Sequence, residues 1–266
     1  DWSSDVCSSD LKAIRDSILD DIGVIENRWG SESLIANPVN GTPGKPKFSK
    51  INGYFVNTRW MRYLYLANVI RQSKLIPENG VWVDVGSYFG GLQGLVYKNF
   101  KKSKFILVDF HHQLFRSYVY LSQLYPNAQH NLGLKETLAG TTTGSFNYVH
   151  VSDFQELQNL NIDLLSNFFS FGEMTRETFE GYRDSDPVKF AKNIYLVNRF
   201  VSAPYFEKTY HNNLSVLDYK FENHQLFYFD VFPIHHFAAF HREIFGRARL
   251  RNTSSSYFEM ILSIKE

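Results

Sequence analysis

The chain has one cysteine among its 266 residues, so no internal disulfide can form and no cysteine-rich metal site is possible. It also lacks an excess of either charge. Its 28 Lys and Arg against 27 Asp and Glu leave a formal +1, which gives no electrostatic case for a nucleic-acid partner. No apolar run approaches the roughly 18 residues of a transmembrane helix. No membrane span is therefore expected, and a cytoplasmic location is. There is no internal repeat. The length suits one domain with an appendage, or two small ones. A chain of this size buries about three-quarters of its unfolded surface and needs no covalent staples.

Aromatic residues are abundant instead. They make up 17 % of the chain, with 24 Phe and 16 Tyr. Most are expected in the core and some in the lining of a pocket. The one cysteine sits in the opening DWSSDVCSSDL. That segment matches, codon for codon, an in-frame translation of a common sequencing-adapter oligonucleotide. Residues 1–11 are therefore expected to be a foreign, disordered scar, and the true amino terminus to be missing.

Residues 81–109 are the most informative stretch. Val81, Val83 and Val85 belong to a short β-branched run that ends at Gly86, and Gly90 and Gly91 lead into a helical pattern. A second apolar run, Phe105 to Val108, ends in Asp109. Strand, glycine turn, helix, strand and acid make a βαβ unit whose loop lies at the carboxyl ends of parallel strands, where ligands bind. Gly86 allows a sharp turn, and Gly90 and Gly91 allow a ligand to approach the backbone. Asp109 lies 23 residues past Gly86, placed to accept hydrogen bonds from ribose hydroxyls. Tyr88 occupies the middle-glycine position of a G-x-G-x-x-G fingerprint, which disfavours a nicotinamide dinucleotide. Asp84, two residues before Gly86, suits a cofactor with a cationic amino-acid end rather than a diphosphate.

The rest of the chain divides at about residue 78, giving segments 1–11, 12–77 and 78–266. Residues 12–28 carry Ile14, Ile18, Ile22 and Ile25 at helical spacing. Residues 37–50, with three prolines and two glycines, read as a surface loop or a lid. Residues 57–72 resume helix, with Trp60, Leu64, Ala67 and Val69 near one face. These elements are expected to cap the cofactor mouth. Beyond Asp109 come a helix at 112–125, a strand at 145–151, apolar runs at 162–171 and 194–197, and a closing strand at 257–264. Strands alternating with helices predict a mostly parallel sheet covered on both faces.

The pattern hydrophobic–Asp84–Val85–Gly86–x–x–x–Gly90–Gly91 resembles the first motif of class I S-adenosylmethionine-dependent methyltransferases, and Asp109 matches their second. The segments DLLSNFFSFGEM (163–174) and KNIYLVNRF (192–200) are similar to blocks of the sugar O-methyltransferase family within that superfamily. There, Ser170, Glu173 and Met174 match the turn after the fourth strand, and Val197, Asn198 and Arg199 the end of the fifth. The resemblance implies an α/β, Rossmann-like fold with a seven-stranded, mostly parallel sheet. It implies S-adenosylmethionine as cofactor and a sugar or glycoside hydroxyl as acceptor, nucleotide-linked or glycan-bound. A methyltransferase of non-sugar metabolites, a nicotinamide oxidoreductase and a non-catalytic nucleotide-binding module are the alternatives.

Methyl transfer to a hydroxyl needs an in-line acceptor and a route for its proton. Glu173 is the expected base, the competing reading being a helix cap. Asn198 and Arg199 are expected to contact substrate or Glu173, the competing reading being a structural ion pair. His235 and His236 follow Pro233, and His236 is the second candidate base. The cofactor contacts are expected from Asp84, Gly86, Ser87, Gly90, Gly91, Asp109 and Ser170, with Asp153 at the adenine. His111 and His112 are read as a helix start or as flanking adenosine, and Asp163 as opening its strand rather than holding metal. A divalent cation could lower a hydroxyl pKa, but no residue pattern indicates one. Oligomeric state is not legible.

Overall fold

A computed structural model describes residues 8–140, 144–202, 213–241, 248–252 and 256–265. In chain order they form α1 (Ser8–Trp29), α2 (Glu32–Ala36), β1 (Ser49–Ile51), β2 (Tyr54–Val56), α3 (Thr58–Gln72), β3 (Val81–Val85), α4 (Gly91–Tyr97), β4 (Lys104–Asp109), α5 (His111–Leu124), β5 (Gln129–Leu132), α6 (Leu134–Ala139) and β6 (Ser145–His150). Then follow β7 (Leu164–Phe168), α7 (Arg176–Arg183), α8 (Asp186–Lys189), β8 (Asn193–Arg199), β9 (His224–Val231), β10 (Phe237–His241), β11 (Ala248–Asn252) and β12 (Tyr257–Ile264). They group into two compact units, residues 1–69 with 232–255, and residues 70–231 with 256–266.

The second unit carries one sheet in the order β5-β6-β4-β3-β7-β8-β12-β9. Neighbours from β5 to β8 are parallel, and β12 runs antiparallel between β8 and β9. This is the expected Rossmann-like α/β sheet, with eight strands rather than seven. Both edge strands, β5 and β9, were unforeseen; the sequence of β5, QHNL, has one buried residue, Asn131. Four residues with so little apolar content leave no periodic signal.

Alternation along the strands supplies two cores. Val83, Val85, Ile106 and Val108 face Phe154, Phe179 and Val188 from the 3₁₀ turn Val151–Asn159 and from α7 and α8. On the opposite face Trp82, Phe105, Phe146, Tyr97 and Tyr125 form a contiguous set of ring contacts. Strands covered on both faces must be apolar nearly throughout, which explains why β4 is buried along its whole length.

Two strands end earlier than their apolar runs. β7 stops at Phe168 because Phe169 turns to φ 69°, and the chain enters the 3₁₀ turn Phe171–Glu173. β6 stops at His150, where the long 3₁₀ turn begins.

In the first unit α1 buries Ile18, Ile22 and Ile25, and α3 buries Trp60, Leu64 and Val69. Asn57 caps α3, its Oδ1 accepting the Trp60 N–H at 2.9 Å. The expected loop at 37–50 contains a 3₁₀ turn at Val39–Gly41, and β1 at its end pairs with β2. Residues 232–252 were expected to belong with the sheet; they group with the amino-terminal unit, where β10 and β11 pair with each other. Fully buried Asp21 of α1 accepts the His235 N–H at 2.9 Å and its Nδ1 at 2.7 Å.

α1 is described from Ser8, so residues 8–11 form its first turn. From Lys12 onward, its first buried residue is Ser17. Deleting residues 1–11 is therefore expected to move the melting midpoint by no more than about 2 °C. Differential scanning calorimetry measures this, and a loss of many degrees would make the segment part of the fold.

Candidate functional site

The loop after β3 winds through three left-handed residues, Gly86 (φ 79°), Tyr88 (φ 55°) and Gly90 (φ 79°). Glycine at 86 is obligatory for a second reason. A Cβ there would lie 2.3 Å from Ser170 Oγ. A Cβ at Gly90 would lie 2.8 Å from Leu121 Cδ1, so the missing side chain there makes room for α5. The Gly86 N–H donates to the Val108 carbonyl at 2.8 Å, and the Ser117 hydroxyl donates to the Tyr88 carbonyl at 2.6 Å. The Tyr88 ring lies under the Arg116 guanidinium at 5.0 Å, and Phe89 meets Tyr120 edge-on at 5.0 Å. Those rings serve packing. Ser87 is buried, and its hydroxyl has no partner among the described residues.

Asp84 is buried at 4 % exposure, and both carboxylate oxygens are engaged: Ser166 donates to one and Gln93 to the other. The Trp82 indole N–H donates to Ser166 Oγ at 2.7 Å. Asp84 thus organises the strand ends beneath the loop. Burial pushes its carboxyl up to about 7, against the two hydrogen bonds and with a further push from the Asp109 charge. The folded chain therefore retains this proton between the ordinary 3.8 and about 7, whereas the unfolded chain releases it. The stability contributed is complete below that window and is lost as pH rises through it, by up to about 4 kcal/mol. Asp84→Asn should flatten this slope. The Asn keeps the acceptor for Ser166, and its amide can donate to Gln93 Oε1, which has no partner among the described residues. Urea unfolding of both proteins across the window measures the difference; equal slopes would refute it.

Asp109 ends β4 beside the loop. Its Oδ2 accepts the Tyr88 N–H at 2.9 Å and its Oδ1 the Phe110 N–H at 2.8 Å, which leaves each oxygen a further lone pair. Burial raises its pKa, while those two amides and the His112 charge lower it. In the β4–β6 ladder Asp109 pairs with His150. The His150 ring stacks on His111, centroids 4.0 Å apart and 16° from parallel. Phe110 is 56 % exposed beside them. A hydrogen-bonded run His150–Ser152–Asp153 follows, with the Ser152 hydroxyl 2.9 Å from both neighbours. Asp109 and Asp153 thus flank a rim of imidazole and phenyl rings.

Glu173 ends the turn after β7. It does not cap the next helix: Thr175 does, its hydroxyl accepting the Thr178 N–H at 3.2 Å. Its half-buried carboxyl is raised by desolvation and lowered by the Arg199 charge, with no hydrogen bond contributing. Arg199 lies over the Tyr257 ring at 5.6 Å, and its Nε is buried with no hydrogen-bond partner among the described residues. Asn198 was expected to reach substrate or Glu173. It is fully buried instead, donating to Asn167 Oδ1 at 3.0 Å and accepting the Gly172 N–H at 3.1 Å. Asn167 in turn donates to Ser170 Oγ and to the Val85 carbonyl. One polar network therefore fixes the glycine loop to the Glu173 turn. His236 belongs to the amino-terminal unit rather than to the sheet-bearing one.

Gln93, Ser166 and Asn167 escaped the sequence reading. A signal existed for two of them: LLSNF places Ser and Asn inside an otherwise apolar strand, and buried polar side chains must find partners. Asp163 does open its strand, accepting the Val81 N–H at 2.9 Å and pairing with Lys192 at 2.7 Å. Among the described residues no cluster of three or more His, Cys, Asp or Glu could hold a metal ion, and no helix is long and apolar enough to cross a membrane.

No family model matches the sequence, and no curated protein matches it. Solved structures resemble the chain in fold. The methyltransferase domain of bacterial CtHen1 is 11 % identical, with TM-score 0.46, 78 % of this chain and 100 % of that one covered. TrmK from M. capricolum, solved with its cofactor product S-adenosylhomocysteine, is 12 % identical, with TM-score 0.40, 75 % and 68 % covered. Precorrin-8W decarboxylase from Methanobacterium thermoautotrophicum is 13 % identical, with TM-score 0.40, 75 % and 89 % covered.

Proposed function

We propose that this chain is an S-adenosylmethionine-dependent O-methyltransferase whose acceptor is a sugar hydroxyl. The observation that carries the reading is Asp109, held at the tip of β4 by two backbone amides, one of them from the glycine loop. A carboxylate so fixed can take two ribose hydroxyls on its remaining lone pairs. The cofactor fits on a second count: the buried Ser87 hydroxyl in that loop lacks a partner among the described residues. Asp109, Ser87 and the loop backbone would hold the cofactor's ribose and amino-acid portions, and Asp153 with the His111–His150 rim its adenine. When bound, it supplies a methyl group on a sulfonium leaving group.

The chain's own residues then handle the acceptor. Glu173, desolvated and with no hydrogen bond from the described residues contributing, takes the hydroxyl proton. Arg199 beside it favours the ionised carboxylate before transfer. The sugar is supported by the sequence blocks around Ser170–Met174 and Val197–Arg199. Calorimetric titration with S-adenosylmethionine and NAD in parallel tests the reading. Micromolar binding of the first and none of the second is expected. The reverse would make the chain an oxidoreductase, and binding of neither would leave a module without this cofactor.

A further inference from the structure

We propose that the outer face of the β1–β2 hairpin docks this protein on a bilayer surface rich in anionic lipid. Such docking is independent of the methyl-transfer reading above. Charge is the first reason. Between Glu32 and Glu78 the sequence holds seven Lys or Arg and no Asp or Glu, in a chain whose formal charge is +1. Three of those cations, Lys45, Lys47 and Lys50, cluster at the entry to the hairpin, and all three are exposed.

The hairpin holds those charges in a fixed frame. Its two-residue turn, Asn52–Gly53, has φ 50° and 87°, a left-handed pair that matches the twist of antiparallel strands. Ile51 and Val56 are buried, which seats one face of the hairpin on the amino-terminal unit. Alternation turns Lys50 and Phe55, paired across the strands, to the other face. Phe48 joins them there, meeting Phe55 edge-on at 5.5 Å, and the Lys50 ammonium lies over the Phe55 ring at 5.4 Å. The Asn57 amide donates to the Lys47 carbonyl at 2.9 Å, so the approach to β1 is held as well. Phe48 nonetheless keeps 46 % exposure. A phenyl ring open to water among lysines suits the boundary of headgroups and acyl chains. The ring enters the apolar side, and the ammonium groups stay among the phosphates. The same chemistry argues against other anions. The three cations at the hairpin are all Lys, point charges suited to a diffuse field, whereas a pocket for one phosphate is better served by the Arg fork. A nucleic-acid base needs an open ring face, and Lys50 covers a face of Phe55.

Co-sedimentation of the full chain with phosphatidylcholine vesicles, with and without about 30 % phosphatidylserine, tests this. Binding to the anionic vesicles alone is expected, and raising NaCl to about 0.5 M should release the protein. Lys45→Gln combined with Lys50→Gln should lower the partition coefficient by about tenfold or more, since each lysine contributes its own attraction to the surface. Phe48→Ser should lower it by about fivefold. None of these changes removes a buried side chain, so every melting midpoint should stay within about 2 °C of wild type. Lys101→Gln with Lys135→Gln, exposed positions of the other unit, removes the same charge and should change partitioning by less than about twofold. Failure to bind anionic vesicles, or undiminished binding by the hairpin variants, would overturn the proposal. An equal loss in the Lys101 and Lys135 variant would reduce the binding to net charge and overturn it too. Displacement by soluble glycerophosphoserine would mark a pocket for a single phosphate instead of a surface. Preference for a mixed-sequence single-stranded oligonucleotide over vesicles would mark a nucleic-acid face, and either result would also overturn it.

Discussion

Glu173→Gln should lower turnover by about 100-fold or more, the usual scale for loss of a general base, while the dissociation constant for S-adenosylmethionine stays within about twofold. The substitution is nearly isosteric, and among the described residues no hydrogen bond to the carboxylate contributes that an amide would break. It removes only the ability to accept a proton. The pH profile supplies the second readout. Desolvation raises the Glu173 pKa above the ordinary 4.5, with Arg199 opposing it. A base works when deprotonated, so wild-type turnover should fall on the acid side through a pKa above that value, and the Gln variant should lose that limb. Arg199→Lys keeps a charge but changes its shape, and should shift the limb rather than abolish it. Unchanged turnover in Glu173→Gln would exclude the residue as base. Should chelator abolish wild-type activity, a bound cation would be the agent of deprotonation.

The sequence reading succeeded where one residue type answers one physical demand. Parallel strands covered on both faces announced themselves as β-branched and aromatic runs, so β3, β4, β7, β8 and β12 were placed within a few residues. Gly86 was legible because its conformation admits few other residues. Gly90 was legible as a glycine, but its packing role was not: the missing side chain makes room for Leu121, and packing between elements distant in sequence has no local signature. The same limit applies to Asp84. Its place before the loop was plain, yet its partners, Ser166 and Gln93, lie 82 and 9 residues away. Asn198 looked functional because it is polar at a strand tip. Its role is set by Asn167 and Gly172, which only the folded sheet brings to it. β5 was missed because a short edge strand borrows its order from the neighbour it pairs with. Residues 232–252 were misassigned because grouping with a unit is a property of tertiary contacts.

Asp109→Ala should weaken S-adenosylmethionine binding by roughly 30- to 150-fold, equivalent to about 2 to 3 kcal/mol for hydrogen bonds to a charged group. Two effects are bound together in that number. Asp109 would hold the ribose, and it already holds the Tyr88 N–H, so alanine removes a ligand contact and also releases the loop. Asp109→Asn separates them. The amide oxygen can keep one backbone donor, but the charge and one acceptor are gone. If ribose recognition dominates, Asn should lose most of the affinity that Ala loses. If loop order dominates, Asn should bind nearly as wild type does, and hydrogen exchange at residues 86–90 should accelerate in the Ala variant alone. The pH dependence points the same way. Burial lifts the Asp109 pKa above 3.8, against the pull of its two amides and of His112. The ionised form accepts from ribose on both oxygens, so wild-type affinity should decline as pH falls toward that raised value, and the Asn variant should not follow. A folded Asp109→Ala with an unchanged dissociation constant would remove the residue from the site, and with it the strongest single reason to place a ribose at the end of β4.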